Sequence, residues 1–168
     1  MDRDAALADF DTARAAWEAV FDQVPDAALG YLRPGDDYAI GGLQVHINWI
    51  LVHYRRVLDA LIAGHFSALE PLTTAAEWKS VAQKAKLGIE PAERQPALRE
   101  MAGLHASVAD AVRGLAAENW GRKTPVRYTP GVEPFSTSPD DLLGWLRDHY
   151  REHVEQCPAL IAEWKGAR

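Results

Sequence analysis

Residues 138–165 read SPDDLLGWLRDHYREHVEQCPALIAEWK, and this stretch predicts one long amphipathic helix. Ser138 is placed to cap the helix N-terminus, a proline follows at the first helical position, and Asp141 completes a Ser-x-x-Asp capping box. One face of this helix carries two histidines, His149 and His153. The same face also holds Leu142, Trp145, Leu146, Gln156 and Leu160. The pattern therefore predicts two imidazoles on a face that points into the protein.

His149 and His153 are four residues apart, so their side chains lie one turn apart on the same helix face. Two inward imidazoles are costly when nothing satisfies their polar atoms. One metal ion can bind both rings at once, and neutral imidazole is a common metal ligand. The pair therefore predicts two ligands of a metal site.

Three further stretches predict long helices because apolar residues recur in them at spacings of three and four. They run from about Ala5 to Gln23, from about Tyr38 to Ala63 and from about Gln95 to Asn119. With the helix that begins after Ser138, they predict an all-α fold, a four-helix bundle that forms a single domain over residues 1–168.

The connections between the long helices add detail to this prediction. Thr74 is a candidate N-cap for a short extra helix between the second and third long helices. Residues 121–137 are rich in proline and glycine, which predicts an irregular loop before the fourth long helix. Within that loop, residues 126–128 are a candidate for a brief strand.

Composition excludes several classes of protein. The 168 residues include 18 Lys plus Arg and 24 Asp plus Glu, a net charge of -6 that argues against nucleic-acid binding. The N-terminus lacks an apolar signal segment, and no window approaches the roughly 20 apolar residues of a membrane span. We therefore expect a cytoplasmic protein without a membrane partner. Cys157 is the single cysteine, which excludes an intramolecular disulfide and a cysteine-based zinc knuckle.

A third metal ligand should come from a neighbouring helix, and His46 matches best in depth. It lies ~12 Å into its helix, while His149 and His153 lie ~15–21 Å into theirs. The two helices would run in the same direction in an up-down-up-down bundle. His53 lies two turns beyond His46, too far for the same ion, and His105 on the third long helix is a reserve ligand.

The segment His149 to His153 also reads as H-x-x-E-H, a protease signature in which the glutamate acts as a base. Glu152 lies about 100° around the helix from His153, beside Asp148 on the solvent side. The only acids downstream, Glu155 and Glu163, lie on or just beyond the same helix. We therefore interpret this match as accidental.

Two segments carry a resemblance to a known family. They are Leu43-Gln44-Val45-His46-Ile47, and residues 148–156 with their His-x-x-x-His pair. On these segments and on its helix pattern, the chain resembles the DinB/YfiT-like superfamily of bacterial four-helix-bundle metalloproteins. The resemblance implies a site for a divalent ion, typically zinc or nickel, held by His46, His149 and His153. It also implies that homodimers are common.

Family members with assigned activities include hydrolases, and transferases and isomerases that use mycothiol, bacillithiol or glutathione. The resemblance therefore implies a metal-dependent enzyme, a thiol-dependent S-transferase or a hydrolase, that acts on a small molecule with a low-molecular-weight thiol as cosubstrate. Two alternatives stay open: a non-catalytic metal- or ligand-binding bundle, and histidines that merely pack. Candidate outer-shell residues are Gln156, Tyr54 and Trp145.

Overall fold

The computed structural model describes residues 2–167, which are mostly helical as predicted. Within these residues, five α-helices and a two-stranded sheet follow in the order α1 (Arg3–Phe21), α2 (Ile40–Ala63), α3 (Ala75–Leu87), α4 (Arg94–Arg113), β1 (Thr124–Val126), β2 (Phe135–Thr137) and α5 (Pro139–Gly166). None of the helices among these residues is both long enough and apolar enough to cross a membrane.

Local capping explains where two of the helices begin. The Ser138 side chain accepts a hydrogen bond from the Asp141 backbone, and the Asp141 carboxylate accepts one from the Ser138 N–H at 2.7 Å. Thr74 and Glu77 form the same reciprocal box at the start of α3. Both capping predictions are confirmed, because each box satisfies N–H groups that a helix start otherwise leaves unpaired.

Two predicted boundaries are wrong. The third long helix, α4, ends at Arg113 rather than near Asn119, because Gly114 caps it and the chain then turns. The brief strand predicted at 126–128 instead spans Thr124–Val126, as β1, and it pairs antiparallel with β2. Arg127 leaves that ladder because its N–H donates to the Leu69 carbonyl at 2.9 Å.

The prediction that α2 and α5 run in the same direction is also wrong. Tyr54 contacts Trp145, whereas His46, earlier on α2, contacts His149, later on α5. The two helices are therefore antiparallel. Arg33, just before α2, pairs with Glu163 near the end of α5 at 3.0 Å, which extends the same trend.

The path of the chain through α3 explains these directions. Arg56, near the end of α2, pairs with Glu77 at the start of α3. Ala85, near the end of α3, contacts Gly42 at the start of α2. Because α3 returns the chain along α2, the following helix α4 runs parallel to α2, with Asn48 donating to Glu100 at 2.8 Å.

α2 and α3 approach each other closely at Gly42. A Cβ atom at this position would lie 1.7 Å from the Ala85 carbonyl oxygen. That same oxygen accepts a hydrogen bond from the Ala39 N–H at 3.0 Å, which ties α3 to the residue before α2. The contact fixes the start of α2, one turn before His46.

Candidate metal centre

The fold brings His46, His149 and His153 together between α2 and α5. Each ring offers one nitrogen, and these nitrogens all lie within 4.8 Å of one another. The Nε2 atoms of His149 and His153 are 3.2 Å apart. The His46 ring lies 4.8 Å from the His149 ring and 5.6 Å from the His153 ring, measured between centroids.

The depth of each histidine along its helix predicted His46 as the third ligand, although α2 and α5 were assumed to run in the same direction. α5 extends past the start of α2, as the pair between Arg33 and Glu163 shows. The middle of α5, which carries His149 and His153, therefore lies opposite the early part of α2, which carries His46.

Gln156 orients one of the three rings. The Nδ1–H group of His153 donates to the Gln156 Oε1 atom at 2.8 Å. The Nε2 atom that faces His149 then carries the lone pair. Ligating histidines commonly donate their other ring N–H in this way, which fixes the tautomer. Gln156 is thus placed for the outer-shell role predicted for it.

Electrostatics keep the cluster neutral. Burial, followed by the neighbouring histidines, lowers the pKa of His46 to about 3. Burial and then His153 lower the pKa of His149 to about 4, and burial also lowers the pKa of His153. All three imidazoles are therefore uncharged near neutral pH, the form in which histidine binds metal.

Access to the cluster is from the side of His149. His46 and His153 are 8% and 4% exposed, whereas the His149 side chain is 23% exposed. Two aromatic rings that the sequence did not single out as site residues cover the others. Tyr38 stacks on His46 with centroids 4.3 Å apart, and Trp17 presents an edge to His153 at 6.2 Å.

Glu152 stands apart from the facing nitrogens of the histidine pair. Its carboxylate lies 3.7 Å from the His149 Nδ1 atom and its side chain is 72% exposed. The cluster instead uses the opposite nitrogen of His149, Nε2. This placement agrees with interpreting the H-x-x-E-H match as accidental.

His105 and His53 occupy other positions. The His105 Nε2 atom faces Asp11 at 2.7 Å and its Nδ1 atom faces the Tyr150 hydroxyl at 3.4 Å, so both ring nitrogens of this reserve ligand have partners. His53 pairs through Nδ1 with the Thr73 hydroxyl at 2.8 Å.

We expect His53→Gln to make the protein less sensitive to acid. Burial lowers the pKa of His53 in the folded protein to about 4, well below the ordinary value of about 6.5. The unfolded chain therefore takes up this proton first, and the stability from His53 is present above about pH 6.5 and lost toward pH 4. Without metal, the free energy of unfolding of the wild type should fall about 2–3 kcal/mol more than that of the variant between about pH 7 and 4.5. Urea denaturation measures both, and equal decreases would contradict the expectation.

Comparison with known proteins shows the family of the chain. The family model of the DinB superfamily matches residues 9–157, which include all three histidines. No curated protein matches the chain. The matched region covers most of the chain, from within α1 to the second half of α5. The chain belongs to the DinB superfamily.

Proposed function

We propose that this protein is a four-helix-bundle metalloprotein that binds one divalent ion through His46, His149 and His153. The observation that carries the proposal is the approach of three ring nitrogens, two of them from buried histidines, to within 4.8 Å of one another. Their chemistry fits such an ion, because neutral imidazole suits zinc and nickel. Three ligands from the protein also match catalytic zinc sites, which keep one position open.

Simple packing explains this arrangement poorly. The two Nε2 atoms of His149 and His153 face each other at 3.2 Å. One N–H can donate to one lone pair, but the third ring, His46, then brings another nitrogen to within 4.8 Å of these two rings' ligand nitrogens. A cation between the three rings would bind all three lone pairs.

We further propose that the protein is a metal-dependent enzyme, a thiol-dependent S-transferase or a hydrolase. A divalent ion with three imidazole ligands supplies Lewis-acid chemistry and lowers the pKa of a bound water or thiol. The residues of the chain orient the histidines and leave access for a substrate. Gln156 orients His153, Tyr38 packs on His46, and the exposed edge of His149 leaves a path for a small molecule.

Zinc or nickel as the ion, a low-molecular-weight thiol as cosubstrate and a homodimer as the assembly belong to the same proposal. They are supported by membership of the DinB superfamily and by the chemistry of the histidine ligands.

Metal quantification tests the proposal. The purified protein is loaded with zinc, nickel or cobalt, desalted and assayed by mass spectrometry. We expect about one ion per chain for the wild type and less than about a tenth of that for His149→Ala, which removes one of three ligands. Cobalt should also give the visible absorption of a low-coordinate site with the wild type only.

His65→Asn is the matched control for this experiment. His65 is exposed at the end of α2 and has a positive φ of 50°, which asparagine tolerates. This variant should retain the metal of the wild type. If the wild type and His149→Ala hold equal amounts of metal after desalting, the proposal is wrong.

A further inference from the structure

Four aromatic rings line an open cleft beside the histidine cluster. They are Tyr54 of α2, Tyr128 and Phe135 of the segment before α5, and Trp145 of α5. The cleft is shallow and open to solvent, and its volume of about 360 Å³ is large enough for a small organic group. Phe135 is 58% exposed and Trp145 is 36% exposed, although large aromatic side chains are usually more buried.

The rings are arranged around Tyr128 at steep angles. The Tyr54 ring lies 6.3 Å away at 82°, the Trp145 ring 6.1 Å away at 71°, and the Phe135 ring 6.1 Å away at 62°. A cation makes a cation–π contact when it lies within about 6 Å of a ring centroid, over the ring face. Rings at these separations and angles can offer several faces to one cation.

No unpaired charge at the cleft opposes a positive ligand among the residues that the structure describes around it. All four lining side chains are uncharged, and burial raises the pKa of the Tyr54 and Tyr128 hydroxyls further from neutrality. His53, whose ring is 5.9 Å from that of Tyr128, is neutral because burial lowers its pKa to about 4. The negative charge of the Asp141 carboxylate also raises the pKa of Tyr128, and this carboxylate forms an ion pair with Lys123.

We propose that this aromatic cleft binds small organic cations that carry a quaternary or tertiary ammonium group. The negative faces of the rings attract such a group, and they offer little to an anion, which needs hydrogen-bond donors or positive charge. A quaternary ammonium group also brings methyl groups that pack against aromatic carbon.

The cleft and the histidine cluster lie close together along α5. Trp145 precedes His149 by one turn of α5, about 6 Å along the helix axis. Because the cleft lies one turn of α5 from His149, such cations are the expected substrate class of the cluster; this extension rests on the proposed metal function. Binding in the cleft itself uses none of the three histidines, so it can be tested without metal.

Calorimetric titration of the metal-free full chain tests the proposal. The probes are choline and its neutral isostere 3,3-dimethylbutan-1-ol, which has the same shape without the charge. We expect choline to bind at least about tenfold more tightly than the isostere, because several cation–π contacts act together. Equal affinities, or no choline binding at millimolar concentration, would overturn the proposal.

Variants locate the binding site. Trp145→Leu should weaken choline binding at least about tenfold, while Trp145→Phe, which keeps an aromatic face, should stay within about threefold of the wild type. Trp78→Leu is the control, because Trp78 is also 36% exposed and lies outside the cleft. Equal losses in Trp78→Leu and Trp145→Leu would reject the cleft as the site.

Metal content of Trp145→Leu, measured separately, keeps the two proposals distinct. We expect this variant to lose choline binding and to retain metal. A wild type that binds choline but no metal would reject only the metal proposal. If Trp145→Leu instead turns a dimer into a monomer and the wild type does not bind choline, the cleft is a surface for a second copy of the chain and the cation proposal is wrong.

Discussion

Replacing Gly42 with alanine should lower the free energy of unfolding by more than about 4 kcal/mol, an exceptional effect for one methyl group. The added Cβ would lie 1.7 Å from the Ala85 carbonyl oxygen. This oxygen belongs to the backbone of α3, so no side-chain rotation can relieve the overlap. α3 would have to move away from α2, which breaks the hydrogen bond between Ala39 and Ala85. Urea denaturation followed by circular dichroism measures the loss.

Gly103→Ala is the matched control, since Gly103 also lies inside a helix. It is exposed on α4, and a Cβ there would meet nothing within 4 Å. Alanine should therefore stabilise the protein by about 0.5–1 kcal/mol, because it reduces the entropy lost on folding. Similar changes for the two variants would mean that α2 and α3 do not approach each other as described.

Metal removal should produce the second large effect, a marked decrease in melting temperature. An ion that binds only the folded chain stabilises it in proportion to the logarithm of its free concentration. At about 1,000 times Kd the gain is about 4 kcal/mol, which corresponds to roughly 8–16 °C for a protein of this size. The proposed ligands are His46, His149 and His153, and the unfolded chain does not hold them together. Differential scanning calorimetry with zinc or nickel, then with excess chelator, measures the shift.

Two variants make this result specific. His153→Ala should melt at the same temperature with and without metal, because one of the three ligands is missing. Gln156→Leu keeps all three ligands but removes the hydrogen bond that orients His153, so metal affinity should fall about 10–100-fold and the shift should be smaller. Equal shifts in the wild type and His153→Ala would place the ion elsewhere.

Local patterns in the sequence predicted the helices well, whereas their relative directions depended on distant contacts. The capping boxes at Thr74 and Ser138 involve residues three apart, so they are visible in the sequence. The antiparallel arrangement of α2 and α5 follows from α3, which returns the chain along α2. α3 packs closely on α2 because Gly42 has no Cβ atom. A glycine in the sequence does not indicate which residue its backbone will contact.

The same distinction between local patterns and distant contacts applies to the histidine cluster and the aromatic cleft. The spacing of His149 and His153 on one helix face predicted their proximity, and depth along the helix selected His46. Tyr38 was missed because its contact with His46 depends on how the chain enters α2, which no periodic pattern encodes. The cleft was missed for a similar reason. Tyr128 lies in an irregular segment, and only the sheet pairing places it beside Trp145.

The distribution of the three histidines along the chain bears on how the protein matures. His46 and His149 are separated by 103 residues, so their contact has a high contact order. During synthesis, α2 leaves the ribosome before α5 has been made. His46 therefore cannot contact His149 or His153 until α5 has been added. A chain that stops before α5 would retain only one of the three histidines. Binding at the proposed metal site therefore requires that α5 has been made and has packed against α2, and the metal content of the protein would measure that step.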